Sequence, residues 1–123
     1  MSATSNAYRI AGPTYAISVT ASQSTALAVF PGGTNDSANY AIFQNTGSTV
    51  VCVVVAPLPA NQTAVTPGLA FPVPGTPTVP NSFILPAAPG WIVVVVPTGG
   101  FSVSAIGSGA GPSVVYVGYV EQS

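Results

Sequence analysis

Charged side chains are almost absent from this sequence. Arg9, Asp36 and Glu121 are its only ionised residues at neutral pH, and it has no lysine and no histidine. A typical soluble domain is about one quarter charged. Nucleic-acid binding needs clustered Lys and Arg side chains that displace counterions from phosphates, and an anionic membrane surface needs the same cations. We therefore expect neither nucleic acid nor membrane as a partner.

Groups that catalyse reactions are equally scarce. General acid–base catalysis at neutral pH uses a His, or an Asp, Glu or Lys with a shifted pKa, and here only Asp36 and Glu121 remain. The single cysteine, Cys52, lacks a histidine to activate it and stands among valines, which predicts a buried, inert thiol. One thiol and two carboxylates do not fill a zinc or calcium shell. We expect no enzyme activity, no catalytic residue, no cofactor and no metal.

Long apolar runs are missing as well. The longest spans Val50 to Ala56 and ends at Pro57, whereas a transmembrane helix needs about twenty such residues. The first six residues contain neither the basic nor the apolar region of a secretory signal. The sequence therefore predicts a protein made in the cytoplasm.

The residues that are abundant favour strands. The chain has nineteen valines, and its thirteen glycines and thirteen prolines fall mostly between the valine runs. β-Branched side chains pack well on pleated surfaces and lose rotamer freedom in helices, while Gly and Pro separate short strands. This composition predicts an all-β protein.

Alternation of apolar and polar residues, together with short apolar runs, locates the strands. Seven are predicted, and two further apolar pieces lie in the proline-rich part of the chain. The seven are Thr14–Thr20, Ala26–Phe30, Tyr40–Gln44, Val50–Ala56, Trp91–Val96, Phe101–Ile106 and Ser113–Val120; the two pieces are Leu69–Val73 and Ser82–Leu85. The sequence Asn45-Thr46-Gly47-Ser48 predicts a hairpin turn between the third and fourth strands. Eight or nine strands in 123 residues predict one antiparallel β-sandwich domain of jelly-roll type, spanning residues 1–123.

Residues 57–90 differ in composition from the rest of the chain. Ten of the thirteen prolines lie between Pro57 and Pro97, and a central strand does not tolerate so many missing N–H donors. One interpretation is a rigid connection containing two short strands. The other is an extended arm that lies on a neighbouring subunit, because prolines reduce the entropy lost on docking.

The low charge itself suggests a function. Neutral polar side chains alone would hydrate the surface, so one interpretation gives the low charge no role. The interpretation we favour is that the protein is packed against neighbours, where a charge would need desolvation or a partner. Residues 1–9 are expected to form an N-terminal arm, and the predicted contact regions are Ala3 to Arg9 within this arm and the span Leu58 to Pro80. The predicted interface residues are Ala3, Tyr8, Arg9, Leu58, Leu69, Phe71, Pro72 and Pro74. Arg9 is expected to pair either with a partner's carboxylate or with Glu121 of its own chain.

Two stretches resemble small virion proteins of tailed bacteriophages: Ala41–Val50, which contains the Asn-Thr-Gly turn, and Phe101–Gly109 with the later Tyr116-Val117. The resemblance implies a capsid decoration (cement) protein on the capsid exterior, with a jelly roll or similar sandwich fold and no catalytic residues. Its expected partners are the major capsid protein and further copies of itself, as a dimer or trimer. The alternatives are a fibre-tip or lectin-like binding module on a virion or cell surface, and a secreted or surface β-protein that assembles with itself.

Overall fold

The valine-rich segments form nine strands in the computed structural model, which describes residues 7–33, 37–109 and 111–122. No helix occurs within these ranges. The strands are β1 (Tyr8–Ile10), β2 (Tyr15–Val19), β3 (Leu27–Val29), β4 (Tyr40–Asn45), β5 (Val51–Pro57), β6 (Ser82–Leu85), β7 (Gly90–Val95), β8 (Phe101–Gly107) and β9 (Ser113–Gln122).

These strands build two packed antiparallel sheets, so the predicted all-β sandwich is confirmed. In the front sheet the order is β1-β9-β4-β7, and β2 pairs with β9 beside β1. The back sheet has the order β3-β8-β5-β6. The two sheets enclose one main core.

The pairing of the strands is nested along the chain. Strand β5 pairs with β6, β4 with β7, β3 with β8 and β2 with β9, each time antiparallel. Every pair therefore encloses the pair before it, as in a long hairpin that is folded over into two layers.

Aromatic rings fill the centre of the core. Phe43 contacts Phe83 at 5.1 Å between ring centroids, and Phe101 contacts Tyr119 at 5.3 Å, both edge to face. Such pairs contribute beyond the apolar area they bury. Valines from both sheets surround these rings, including Val51, Val53, Val103, Val115 and Val117.

The predicted hairpin at residues 45–48 is wrong, because β4 belongs to the front sheet and β5 to the back sheet. The segment is a turn, but it carries the chain from one sheet to the other. The buried Asn45 side chain accepts a hydrogen bond from the Gly47 N–H and donates one to the Thr49 carbonyl. A Cβ on Gly47 would lie 2.2 Å from Ser113 Oγ, so the close approach to β9 requires glycine there.

Two further details differ from the sequence-based expectation. Residues 8 and 9 of the predicted arm lie in β1, paired with the end of β9, while residues 1–6 lie outside the described residues. The piece Leu69–Val73 contains no strand beyond an isolated bridge between Val73 and Thr76. Ser82–Leu85 is a strand as predicted.

Candidate functional site

The outer face of the front sheet is a broad apolar surface, here called the open face. Side chains alternate between the two sides of a strand, and the register of the strand pairs identifies those that share the outer side. They belong to Tyr8, Ile10, Ala16, Ser18, Tyr40, Ile42, Gln44, Trp91, Val93, Val95, Val114, Tyr116, Val120 and Gln122. Gly118 completes this face on β9.

Several large apolar side chains on the open face are in solvent. Ile10 is 78% exposed, Val95 69%, Trp91 60% and Tyr116 41%. No charged side chain lies among the described residues of this face, and its polar groups are those of Ser18, Gln44 and Gln122 together with the tyrosine hydroxyls and the Trp91 indole N–H. An exposed apolar patch of this extent is typical of an interaction surface.

The open face has the size of a modest protein–protein contact. Its five strands contribute 30 residues. At about 4.8 Å between strands and about 3.3 Å per residue, the face measures roughly 480 Å². A stable interface of ordinary size takes about 800 Å² from each partner, so the open face alone supports a smaller contact. A shallow depression between Ile10, Ile42 and Tyr116, above Gly118, adds relief to the face.

The outer face of the back sheet is covered by the protein itself. Residues 58–81, here called the cover segment, fold back across β5 and β8. Leu69 is 7% exposed and packs in a second apolar cluster with Cys52 and Val54, and Phe71 and Val79 pack against that cluster. The two sides of the sandwich are therefore unequal, because one is covered from within the chain and the other is open.

Hydrogen bonds through Gln23 hold the cover segment in place. Gln23 Nε2 donates to Ser104 Oγ at 2.8 Å and to the Pro67 carbonyl at 2.9 Å, and its Oε1 accepts from the Leu69 N–H at 2.8 Å. Thr66 and Ser104 also share a hydrogen bond at 2.9 Å. The serines that alternate along β8 thus bind the segment that covers them.

Arg9 pairs with Glu121 of its own chain, with 3.4 Å between Nη2 and Oε1. Of the two pairings expected for Arg9, the structure has the intramolecular one. Both residues point to the side of β1 and β9 opposite Tyr8 and Ile10. Because the two charges lie on that opposite side, the open face stays uncharged. A surface ion pair of this kind contributes about 0–1 kcal/mol to stability.

The chemistry of the described residues is limited. They contain no group of three His, Cys, Asp or Glu side chains able to hold a metal ion. Burial raises the pKa of the Cys52 thiol, although a hydrogen bond with Ser82 opposes part of this effect, so the thiol stays protonated at neutral pH. A groove of about 330 Å³ between β7 and the ends of β5 and β6 is lined by apolar and neutral residues, among them Val55, Phe83 and Val94. Nor does the described part of the chain form a helix that would cross a bilayer.

The predicted interface residues are distributed over several parts of the molecule. Ala3 lies outside the described residues. Tyr8 belongs to the open face, where its ring contacts that of Tyr40 at 6.5 Å between centroids. Arg9 lies in β1 and pairs with Glu121. The remaining five lie in the cover segment: Leu58, Phe71 and Pro72 are half-buried, Leu69 is buried against its own sheet, and Pro74 is exposed. Interface roles for these residues stay predictions.

Sequence reasoning missed most of the open face. Val95 and Tyr116 are not among the predicted interface residues, because apolar residues on both sides of a strand indicate burial on both sides. Ile10 is not among them because its strand has only three residues. The segment Trp91–Val96 does indicate an exposed apolar surface. Every residue in it is apolar, so whichever side of the strand faces solvent exposes apolar side chains.

Comparison with known proteins identifies no relative: no protein-family model, no curated protein and no solved structure matches this chain.

Proposed function

We propose that this protein is a non-enzymatic structural protein that binds the outside of a tailed-phage capsid and bridges its major capsid subunits. The observation that carries the proposal is the open face, an uncharged apolar surface on a chain that covers its other sheet itself. The resemblance of Ala41–Val50 and Phe101–Gly109 to small virion proteins supplies the phage context.

We infer further that the sandwich is a jelly roll. Four nested antiparallel pairs, divided between two four-stranded layers, support this topology when β1 and β2 are counted as one interrupted edge strand. Jelly rolls are frequent in viral capsid and lectin domains. Fold alone does not establish function; the open face supports docking, and the resemblance supports a phage capsid as the partner.

An apolar open face suits attachment to a shell. Contacts between neutral groups are not screened by salt, unlike ion pairs between exposed charges. Each contact has a modest area, but a bridge that holds two subunits at once gains from effective concentration. Repetition over the capsid would then strengthen the particle without tight binding at any single site.

Particle binding by two matched variants tests the docking face. Ile10→Glu places a carboxylate on the open face, where docking would bury it without a partner. Val65→Glu places the same charge at a comparably exposed position, 59% against 78% for Ile10, on the cover segment. We expect Ile10→Glu to lower capsid occupancy at least tenfold and Val65→Glu to leave it unchanged, as measured from protein ratios in purified particles.

The opposite result, with Val65→Glu detached and Ile10→Glu bound, would assign docking to the proline-rich span. Absence of the wild-type chain from purified particles would reject the capsid role altogether. A fibre-tip or lectin-like module, which the exposed Trp91 favours because aromatic rings stack on sugars, would be present at a far lower copy number than the major capsid protein.

A further inference from the structure

Each sheet of the sandwich ends in two edge strands, and three of these four edges are protected. Edge strands present unpaired N–H and C=O groups, and proteins protect them by keeping them short or interrupted, or by adding charge. On the back sheet, β3 has three residues and β6 has four. On the front sheet, the edge formed by β1 and β2 is interrupted at residues 11–14.

Strand β7 has none of these protections. It runs unbroken over six residues, Gly90–Val95, and contains no charge and no proline. Of the described strands, only β4 pairs with it. A six-residue edge with five Trp, Ile and Val residues is strongly disposed to pair with another strand.

The register determines which backbone groups of β7 are free. The Val96 N–H donates to the Asn39 carbonyl at 2.8 Å, one step beyond the Tyr40–Val95 pair. In an antiparallel ladder, hydrogen-bonded and non-hydrogen-bonded pairs alternate. Val94 and Ile92 therefore bond to β4, whereas the N–H and C=O groups of Trp91, Val93 and Val95 point to the free edge.

We propose that β7 pairs antiparallel with β7 of a second copy, around a two-fold axis at Val93. This register places Val93 opposite Val93 of the second copy and Trp91 opposite its Val95. All three free residues then lie in hydrogen-bonded pairs, giving about six new backbone hydrogen bonds. A shift of the axis by one residue in either direction reduces that number.

Side-chain contacts favour the same register. On the open face it places Trp91, which is 60% exposed, against Val95 of the second copy, which is 69% exposed. Aromatic and β-branched residues form favourable cross-strand pairs. On the inner side it places Ile92 of the second copy opposite Val94, at the groove beside β6. Ile92 and Val94 are only half-buried although they face the core, so a second copy would close the sandwich where it is open.

Because β7 carries no charge, a second copy of this chain is a suitable partner for it. A two-fold contact brings each side chain near its equivalent, so any charge at the axis would face a like charge. No described residue of β7 or of the open face carries one. Pairing would also join two open faces into one continuous surface. The inference is independent of the capsid proposal, since it concerns the protein in solution.

The mass of the purified full-length chain in solution, measured by light scattering and sedimentation, tests this pairing. We expect the wild type to have twice the 12.2 kDa of one chain. Val93→Lys should place two ammonium groups opposite each other at the axis and weaken dimerisation at least tenfold. Val93→Thr, which keeps a β-branched side chain, should remain a dimer. A monomeric wild type, or a Val93→Lys protein that stays folded and dimeric, would overturn the proposal.

Cross-linking tests the register independently of stability. Hydrogen-bonded antiparallel partners lie about 5.5 Å apart between Cα atoms, a separation that a disulfide spans. Val93→Cys should therefore give a covalent dimer under mild oxidation, while Ile10→Cys, on the same face at the opposite edge, should not. The native Cys52 is buried and does not interfere. A dimer that Val93→Cys fails to cross-link would place the axis elsewhere. A chain that dimerises but never binds particles would retain this inference and lose the capsid role.

Discussion

Tyr119 combines two roles in one residue of β9. Its ring packs against Phe101 in the core, and its hydroxyl donates to the Pro97 carbonyl and accepts from the Gly100 N–H at 3.0 Å. The residue is 1% exposed. One side chain therefore fastens the turn between β7 and β8 to the strand at the centre of the front sheet.

Removal of the Tyr119 hydroxyl should lower the free energy of unfolding. Tyr119→Phe keeps the ring but leaves the Gly100 N–H without its acceptor. A buried donor without a hydrogen-bond partner lowers the free energy of unfolding by about 1–3 kcal/mol. Tyr116→Phe is the matched control, since the side chain of Tyr116 is 41% exposed, and it should change the free energy by less than about 0.5 kcal/mol. Urea unfolding followed by tryptophan fluorescence measures both, and equal effects would contradict this role of the hydroxyl.

At the scale of elements, the cover segment depends on a side chain outside it. Gln23 satisfies the Leu69 N–H and the Pro67 carbonyl, which have no strand partner in the described structure. The segment is attached by side-chain hydrogen bonds and by the burial of Leu69. It is therefore expected to detach before the strands separate.

Gln23→Ala should release the cover segment while the sandwich stays folded. The substitution removes four hydrogen bonds, three to that segment and one to Ser104. We expect cleavage within residues 58–81 by a protease with apolar specificity to accelerate at least fivefold. Gln44→Ala, at an exposed position on β4, is the control and should leave the cleavage rate unchanged. Unaltered cleavage in Gln23→Ala would show that Leu69 and its neighbours hold the segment without Gln23.

The sequence predicts elements of this protein better than it predicts their arrangement. Alternation located β2 and β8 within one residue at each end. Strand β2 alternates because one of its sides faces solvent, whereas β8 alternates because its serines hydrogen-bond to the cover segment. The turn after Asn45 was recognised, but local residues do not reveal that it joins different sheets. The three residues of β1 were missed because they are too few to carry a period.

Side-chain context explains the remaining differences. The piece Leu69–Val73 is apolar because Leu69 and Phe71 pack on the back sheet, yet its backbone bonds to a glutamine side chain rather than to a strand. Apolar composition alone does not distinguish these two cases. Likewise, the open face has the composition of a buried face, and its exposure depends on which sheet the cover segment occupies.

For the whole molecule, scarcity of titratable groups predicts a simple pH dependence. No histidine is present, so no side chain with an ordinary pKa titrates between pH 6 and pH 8. Burial raises the pKa of Cys52 above 9.0 and that of Tyr119 above 10.0. In alkali the unfolded chain therefore loses these protons before the folded protein does, and folding stability falls as pH rises.

We expect the free energy of unfolding to be constant from pH 6 to pH 8 and to fall above about pH 9. Cys52→Ala should remove the first part of this decrease, and Tyr119→Phe the part that begins near pH 10. Urea titrations at a series of pH values measure the effect. A decrease that is identical in both variants and in the wild type would contradict the assignment.

Because the two outer sides of the sandwich differ, the residues proposed to assemble lie apart from residues that tolerate an insertion. Within the cover segment, Val73 and Thr76 bridge an exposed turn in which Gly75 adopts a φ of 82°. This turn lies between Phe71 and Val79, which pack on the outer side of the back sheet, and it contains no residue of the open face or of β7. A foreign peptide inserted there would be carried outward on every copy while the surfaces proposed for assembly stay intact, which makes the turn a natural position for displaying an epitope.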